Sequence, residues 1–344
     1  MRKLATIRKI DSIGPIEGAD AIEVAQVGGW KIVTKKNDFR VGDLAVYFEI
    51  DSWIPDHLAP FLSKGHAPRV FNGVEGERLR TVKLRGQVSQ GLLLDRTVAL
   101  DKVGEIFEGM DVSELLNIQK YEPPVSAQLA GQVSGGFPSF IPKTDQERIQ
   151  NLSREFKEWK DTDLTWEQTE KLDGSSMTVF FKDSKFGVCS RNWELREAEG
   201  NTLWAVAREY GLEKILSDHA ATDLTNIALQ GELIGPGIQD NKYKLTKHAF
   251  YIFDIYNIDR KQYLSPGLRK DFIERHGLRH VPVFSSAMKL DPDLTMDALL
   301  KEAEGKSVMG NITGPEREGH VYKCNELPVS FKCISNSFLL KSKD

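Results

Sequence analysis

The sequence predicts an α+β fold of two domains, in which a β-rich segment precedes a larger region of mixed strands and helices. Over residues 1 to about 118, short runs rich in β-branched and aromatic residues are separated by Gly and Asp turns. From about residue 165 onward, helical patterns alternate with strand-like runs. A length of 344 residues is enough for two buried cores.

The β-rich segment is predicted to form a small barrel, because several short strands occur within a compact stretch. Its clearest strand-like runs are residues 21–25, 30–33 and 44–50. The stretches 16–24 and 41–47 resemble the OB-type barrels that bind tRNA and other polynucleotides. A basic stretch over residues 78–85 suits either a phosphate-binding strand or an ordinary solvated strand face, and Val82 and Leu84 are expected to face inward.

A linker is predicted over residues 119–136, where Pro, Gly and Ser are frequent. Thr144 and Glu147 have the spacing of a capping box, which predicts that a helix starts there. Apolar residues continue this helix at helical spacing: Ile149, Leu152, Phe156 and Trp159. Three further helices are predicted over residues 201–217, 265–277 and 295–305.

Composition indicates a soluble, intracellular protein that is not secreted. No apolar run is long enough to span a bilayer, and no signal peptide precedes the first strand-like run. The three cysteines, Cys189, Cys324 and Cys333, lack C-x-x-C spacing, which favours a reducing compartment and argues against a zinc site. Since the net charge is −4, nucleic-acid binding would depend on local basic patches.

The most informative string is Lys171-Leu172-Asp173-Gly174, which falls where an extended run should meet a turn. On a strand, Lys171 and Asp173 share a face, and Gly174 permits the turn that follows. An amine nucleophile beside a carboxylate suits covalent nucleotidyl transfer. Taken alone, the string also suits an ordinary strand end and surface turn.

Several downstream residues add the other parts of such a site. Arg191 can fork onto a phosphate or ribose, or form a surface salt bridge. Glu232, between two glycines, suits contact with a metal or a sugar hydroxyl. Tyr251 and Phe253 share a strand face, from which one can stack on a base.

Further charges lie near the C-terminus and ahead of Lys171. Glu318 and Lys323 offer a carboxylate and an amine, and Lys332 offers another cation. Lys143 and Arg148 are weaker candidates for lining a nucleotide pocket; Lys143 precedes the predicted helix start, where anions bind readily.

The order of these motifs resembles the covalent nucleotidyltransferase superfamily of ATP-dependent DNA ligases, RNA ligases and mRNA capping enzymes. The resemblance covers about residues 137–344, and Ser190-Arg191-Asn192 has the form seen in RNA ligases. The residues that match the other family motifs are Lys171, Asp173, Glu232, Phe253, Glu318 and Lys332. With a barrel ahead of them, the whole chain resembles the fifth RNA ligase family, a nick-sealing type with an N-terminal OB domain.

The resemblance implies a domain plan. Residues 1–118 are expected to form an OB-fold nucleic-acid-binding domain, 119–136 a linker, and 137–344 an adenylyltransferase domain, the ATP-grasp-like ligase domain of antiparallel sheets and helices. DNA ligases and capping enzymes carry an OB domain after the catalytic domain. Only twelve residues follow Lys332, so an RNA ligase is expected.

The resemblance also implies a reaction. Lys171 attacks the α-phosphate of ATP to form lysyl-AMP, the AMP moves to a 5′-phosphate, and a 3′-hydroxyl displaces it. The expected partner is a nicked duplex with an RNA 3′-OH strand, the role is RNA repair, and the enzyme is expected to be a monomer. The residue roles that follow are metal binding (Mg²⁺ or Mn²⁺) by Asp173, Glu232 and Glu318, phosphate or ribose contact by Arg191, adenine stacking by Phe253, and catalytic charge from Lys323 and Lys332.

Two alternatives and one departure stay open at the level of sequence. The alternatives are an ATP-dependent DNA ligase and a non-catalytic RNA- or tRNA-binding OB protein. The departure is in the last motif, where related ligases often carry a Lys-x-Lys pair. Here Ser330 and Ile334 flank Lys332, so the second cation is expected from Lys323 or Lys341.

Overall fold

The computed structural model describes residues 3–122, 131–219, 224–309 and 314–341. Contacts divide the chain into two compact units. The first takes the described residues within 1–124, 149–156 and 339–344, and the second those within 125–148 and 157–338. Residues 123–130 of the predicted linker lie outside the described residues. None of the described helices has the length and apolar character needed to cross a membrane.

In its described residues the first unit consists mainly of short antiparallel strands, and it contains the helix α1, Thr97–Val103. Its strands are β1 Ala5–Lys9, β2 Ser12–Pro15, β3 Ile22–Val27, β4 Trp30–Lys35, β5 Leu44–Phe48, β6 Ser52–Pro55, β7 Arg69–Phe71, β8 Val74–Arg78, β9 Val82–Leu84, β10 Gln87–Ser89, β11 Leu92–Asp95 and β12 Gln119–Lys120. They pair in the orders β1-β5-β11, β2-β3-β4, β10-β9 and β12-β6-β8-β7.

Strand β5 is the centre of this unit because both of its faces are buried. Val46 and Phe48 pack into one apolar cluster, while Ala45 and Tyr47 pack into another. Alternation along one strand therefore supplies two cores. By contrast, the prediction for the basic hairpin is wrong, since Val82 and Leu84 are 40% and 43% exposed.

The second unit is built on two sheets. Its strands, with β14 close to the boundary, are β13 Val133–Gly136, β14 Glu147–Arg148, β15 Thr165–Lys171, β16 Ser175–Lys182, β17 Lys185–Cys189, β18 Trp193–Leu195, β19 Ile227–Ile234, β20 Ala249–Asn257, β21 Gln262–Tyr263, β22 Arg279–His280, β23 Val283–Lys289, β24 Gly319–Cys324 and β25 Ser330–Ile334. One sheet runs β13-β18-β17-β16-β19-β20-β21, with β22 also paired to β20. The other runs β14-β25-β24-β15-β23.

Within the ranges that the structure describes, the helices after α1 are α2 Ser153–Lys160, α3 Thr202–Glu209, α4 Leu212–Asp218, α5 Pro266–Arg275, α6 Met296–Glu302 and α7 Asn336–Lys341. The side chains of Asn201, Ser265 and Thr295 accept backbone N–H bonds at the starts of α3, α5 and α6. The helix predicted over 201–217 is divided at Gly211, which adopts a left-handed φ of 63°. The starts of these helices were therefore predictable from their capping residues.

The helix predicted to start at Thr144 starts later, so that prediction is wrong. Residues Glu147–Arg148 form β14 and pair in parallel with β25, and a 3₁₀ turn, Ile149–Leu152, precedes α2. The Glu147 carboxylate accepts a bond from the next backbone N–H, which is 2.8 Å away. Strand pairing with β25 thus prevails over the local capping signal.

Residues 149–156 belong with the first unit. Trp30 donates its indole N–H to the side-chain Oδ1 of Asn151 at 2.6 Å, and Asn151 Nδ2 donates to the Glu49 carboxylate at 3.1 Å. Gly29 is in close contact with this segment, because a Cβ built there would lie 2.6 Å from the Cα of Gln150. A segment that resembled part of an amphipathic helix therefore packs by close backbone approach.

Candidate active site

Lys171 ends β15, where the five-stranded sheet brings it beside the start of β24. In register, Lys171 pairs with Gly319, and Gly319 pairs with Ile334 of β25. Glu318 immediately precedes β24, and its Oε1 lies 2.7 Å from Lys171 Nζ. Two motifs that are far apart in the sequence therefore meet as an ion pair.

Asp173 and Glu232 join this pair across the turn between β15 and β16. Glu232 lies on β19 opposite Ser176, and its carboxylate accepts a hydrogen bond from the backbone N–H of Gly174. The charges of Glu232 and Asp173 both act on Lys171. The structure thus gathers the predicted nucleophile with the three carboxylates predicted to bind metal.

Gly174 is needed here for a close approach between strands. It does not adopt a left-handed conformation, so the turn itself does not demand glycine. A Cβ built on it would lie 2.5 Å from the carbonyl oxygen of Leu233 and 2.6 Å from the Cγ2 of Ile234. Any side chain would separate the turn from β19 and so move Glu232 away from Lys171.

The site carries an excess of negative charge. Burial alone would lower the pKa of Lys171, but the charges of Glu318 and Glu232 outweigh it and raise that pKa. Burial raises the pKa of Glu232 to about 8, opposed by Lys171 and reinforced by Glu318. Burial and the Glu318 charge also raise the pKa of Asp173. The three carboxylates lie around two ammonium groups, those of Lys171 and Lys242, so the site would gain stability from a further cation.

The carboxylates suit a hydrated divalent ion. Among the residues that the structure describes, no group of three or more His, Cys, Asp or Glu side chains is arranged to hold a metal directly. Mg²⁺ keeps several of its waters when it binds to proteins, and carboxylates can hold it through them. Burial is the main cause of the raised pKa values of Asp173 and Glu232, and a bound cation would stabilise the charged forms of both carboxylates.

Lys242 and Tyr243 complete the surroundings of Asp173, and the sequence did not single them out. Lys242 forms an ion pair with the Asp173 carboxylate, and the backbone N–H of Asp173 donates to the Tyr243 hydroxyl at 2.8 Å. The sequence indicates only that a loop, Gly235-Pro236-Gly237, follows the end of β19 three residues after Glu232. A loop at this end of the strand has to lie at the edge of the site.

A β-bulge places Phe253. Gln230 pairs with Asp254 while the next residue, Gly231, pairs with Ile252, so Phe253 is the extra residue of β20. Bulges re-aim side chains and often occur next to active sites. Phe253 is partly buried against the apolar cluster that contains Leu172, the residue directly after the nucleophile.

Lys323 lies next to Phe253 in a buried charge network. Its Nζ donates to the Phe253 carbonyl oxygen at 2.6 Å and lies 2.7 Å from the Asp254 carboxylate. Burial lowers the pKa of Lys323, although Asp254 opposes this. Arg269 pairs with Glu167 in the same interior. The contacts of Lys323 therefore connect it to the position of Phe253 and Asp254.

Lys332 and Arg191 share one carboxylate. The Asp145 oxygens lie 3.4 Å from Lys332 Nζ and 3.0 Å from Arg191 Nη2. Two cations that bind one carboxylate are close enough together to bind one phosphate. This pair of cations is the part of the structure best suited to an anionic group.

The weaker candidates lie beside this pair. Lys143 donates to the side-chain oxygen of Asn192 at 2.9 Å, next to Arg191 in the chain. Arg148 is buried in β14 and pairs in register with Lys332. Lys341, the other candidate for a second cation, ends α7 and is grouped with the first unit.

Comparison with protein families and curated proteins gives two family matches. An OB-fold domain model matches residues 4–96, and an RNA ligase model matches residues 164–341. No curated protein matches the chain.

Among solved structures, the chain is similar to the RNA ligase of Naegleria gruberi. An apo form of an Asp-to-Ala variant is 45% identical, with a TM-score of 0.90 over 100% of this chain and 99% of that chain. A Lys-to-Ala variant with ATP and Mn is 45% identical, with a TM-score of 0.89 over 99% of each chain. The form with PPi is 45% identical, with a TM-score of 0.89 over 100% of each chain.

Proposed function

This chain belongs to the RNA ligase family and is an ATP-dependent RNA ligase, and from that premise we propose that it seals nicks in RNA repair with Lys171 as the adenylated residue. Neither a DNA ligase nor a non-catalytic RNA-binding protein is retained, because the RNA ligase match spans residues 164–341. The observation that carries the proposal is the ion pair of Lys171 and Glu318 beside Asp173 and Glu232.

The first step is transfer of AMP to Lys171. The Nζ lone pair attacks the α-phosphorus of ATP, the bond to the β-phosphate oxygen breaks, and its electrons leave with pyrophosphate. Glu318 Oε1, at 2.7 Å, is the nearest acceptor for the Nζ proton. Mg²⁺ or Mn²⁺, when bound through Asp173, Glu232 and Glu318, supplies positive charge that stabilises the charge developing on the phosphates.

The other residues bind and orient the nucleotide. Phe253, re-aimed by the bulge, stacks on adenine, and Lys323 holds it by donating to its carbonyl oxygen. Arg191 and Lys332 exchange the Asp145 carboxylate for a phosphate group. In the later steps the 5′-phosphate at the nick takes AMP from Lys171, and the 3′-hydroxyl displaces AMP from that end.

Defined nicks test the substrate. We expect a nick with a ribose 3′-hydroxyl to be sealed at least about tenfold faster than a matched nick with a deoxyribose there, because a site that hydrogen-bonds a hydroxyl discriminates against its absence. Sealing is followed on a labelled 5′-phosphate strand with RNA and DNA exchanged on each side. Equal rates on both 3′ ends would contradict the proposed RNA 3′-OH specificity.

The OB unit is proposed to bind the duplex, and its exposed hairpin β9–β10 is the region to test. All three residues of β9 are exposed, and Lys83 and Arg85 carry positive charge there. We expect Lys83→Glu with Arg85→Glu to slow nick sealing roughly tenfold and to reduce its salt dependence, since phosphate contacts release counterions. Lysyl-AMP formation should not change.

The matched control is Lys64→Glu with Lys102→Glu, two exposed lysines of the same unit. It changes the net charge by the same amount and leaves the hairpin residues unchanged. If the control slows sealing as much as the hairpin variant does, the effect comes from net charge and the hairpin is not the binding surface.

The remaining expectations concern the state of the protein. The enzyme is proposed to act as a monomer, with the acids and lysines around Lys171 sufficient for lysyl-AMP formation. Cys189, Cys324 and Cys333 are all unpaired and buried, which supports a reducing, intracellular compartment. Size-exclusion chromatography with light scattering tests the first point, and a stable dimer would contradict it.

A further inference from the structure

The last strand brings only one amine to the nucleotide site. Side chains on one face of β25 recur every second residue, so Ser330, Lys332 and Ile334 share a face. Ile334 is the member of this set in the same row as Lys171, joined to it through Gly319. That position is apolar and 3% exposed. The row of the nucleophile therefore receives no cation from β25.

Lys242, in the loop between β19 and β20, brings an ammonium close to the nucleophile. It forms an ion pair with Asp173, whose charge acts in turn on Lys171. Its side chain is 29% exposed, and its Nζ lies 4.7 Å from the centre of the Phe338 ring. The Lys242 ammonium is thus partly shielded from solvent, and it contacts the same carboxylate, Asp173, whose charge acts on Lys171.

The loop around Lys242 is held in a costly conformation. Gln239, Asp240, Asn241 and Lys244 all have left-handed φ values, of 45°, 55°, 46° and 52°. Such conformations are unfavourable for residues other than glycine and persist where the surroundings enforce them, which is common at functional sites. These left-handed residues lie on both sides of Lys242 in the chain. The bend that they form places Lys242 opposite Asp173.

Both sides of Lys242 are anchored. Asn241 donates to the Leu245 carbonyl oxygen at 2.8 Å and accepts from its N–H at 3.0 Å. On the other side, the Tyr243 hydroxyl accepts the Asp173 N–H. The backbone is therefore fixed on either side, while the Lys242 ammonium is held by the carboxylate and the Phe338 ring.

We propose that Lys242 is a catalytic, phosphate-binding residue that takes the place of the second lysine missing from the last motif. This rests on the proposed function. As Lys171 Nζ bonds to the α-phosphorus and the bond to pyrophosphate breaks, the Lys242 ammonium donates to a non-bridging oxygen of the α-phosphate. No proton moves through Lys242 in this step. When the Lys242 ammonium moves from Asp173 to the phosphate, the Asp173 carboxylate becomes available to a hydrated metal ion.

Lysyl-AMP formation gives the first test. We expect Lys242→Met to slow it by about 100-fold, which is the cost of losing one donor to a developing negative charge. Lys242→Arg should keep more activity than Lys242→Met. Lys244→Met is the matched control, because Lys244 is exposed and lies in the same strained loop. If Lys242→Met labels as fast as the control, the proposal is overturned.

Equilibrium binding separates phosphate contact from mere support of Asp173. In a Lys171→Met background, which cannot be adenylated, the added Lys242→Met change should weaken ATP binding about tenfold and leave adenosine binding unchanged. Equal weakening of both ligands, or of neither, would overturn a phosphate contact. This readout involves no turnover, so it does not depend on the metal-loaded reaction.

A rescue experiment completes the design. The double variant Lys242→Met with Ile334→Lys should form lysyl-AMP at least about tenfold faster than Lys242→Met alone, because it returns an amine to the row of Lys171. A folded double variant without recovery would overturn the idea that the two positions are equivalent. Wild-type protein is labelled in parallel: if it forms no lysyl-AMP, the proposed function itself fails, which is a separate result.

Discussion

Lys171→Met is expected to abolish covalent labelling of the protein by ATP carrying a labelled α-phosphate, with a loss of about 10⁴-fold or more. Removing a covalent nucleophile leaves no other route to the intermediate. Methionine keeps the length and apolar stem of the side chain, so the fold should persist. The measurement is label retained on denatured protein after incubation with ATP and a divalent metal.

The control for this prediction is Lys157→Met, which changes an exposed lysine of α2 in the same unit. It should label at the wild-type rate. The bond formed should also behave as a phosphoramidate, released by acid and stable to alkali. Label that persists on Lys171→Met, or an alkali-labile bond, would show that another residue carries the AMP.

Lys171 carries a positive charge in the metal-free protein, and this explains why its nucleophilic attack needs another cation in the site. The carboxylates raise its pKa, so in the metal-free protein it is held as an ammonium, which has no lone pair to offer. The resemblance implies catalytic charge from Lys323 and Lys332. The structure instead surrounds Lys171 with acids, while Lys323 pairs with Asp254 and Lys332 with Asp145. Activation therefore depends on neutralising those acids.

The predictable part of the site follows from strand periodicity and motif order. The α+β class and the N-terminal OB fold are confirmed. The spacing of Lys171 and Asp173 and the strand position of Glu232 could be read directly, because residues two apart share a face. Glu318 could be added only by resemblance, since nothing in the spacing shows that β24 pairs with β15.

The parts that could not be predicted depend on contacts distant in sequence. Lys242 reaches Asp173 from a loop with left-handed residues that are not glycine, and the Gly-Pro-Gly string ahead of it predicts a loop but not this contact. Gly174 is needed because β19 passes close by, not because of its own turn. The capping signal at Thr144 failed because β14 gains a strand partner. Each case is decided by tertiary packing, which local propensity does not encode.

Glu318→Gln is expected to reduce lysyl-AMP formation by about 100- to 1,000-fold while lowering the pKa of Lys171. Glutamine keeps the shape of the side chain but loses the charge that pairs with Lys171 at 2.7 Å and that suits a hydrated metal ion. Loss of one charge-stabilising group at a phosphoryl site typically costs this much. The rate is measured in single-turnover labelling with saturating ATP and metal.

The same substitution separates the two roles of Glu318, because they change in opposite directions. Its charge is the largest of those that raise the pKa of Lys171, so without it more of the free amine is present at a given pH. In metal-free protein, modification of Lys171 by an amine reagent should therefore reach half its maximal rate at a lower pH in Glu318→Gln than in the wild type. In one outcome, Lys171 of the variant reacts more readily with the amine reagent but forms lysyl-AMP far more slowly. Glu318 would then be needed for the metal-dependent transition state and not for the nucleophile's basicity. If the midpoint does not move, Glu318 does not control the charge of Lys171, and if adenylation stays within about twofold of wild type, it is not part of the catalytic site.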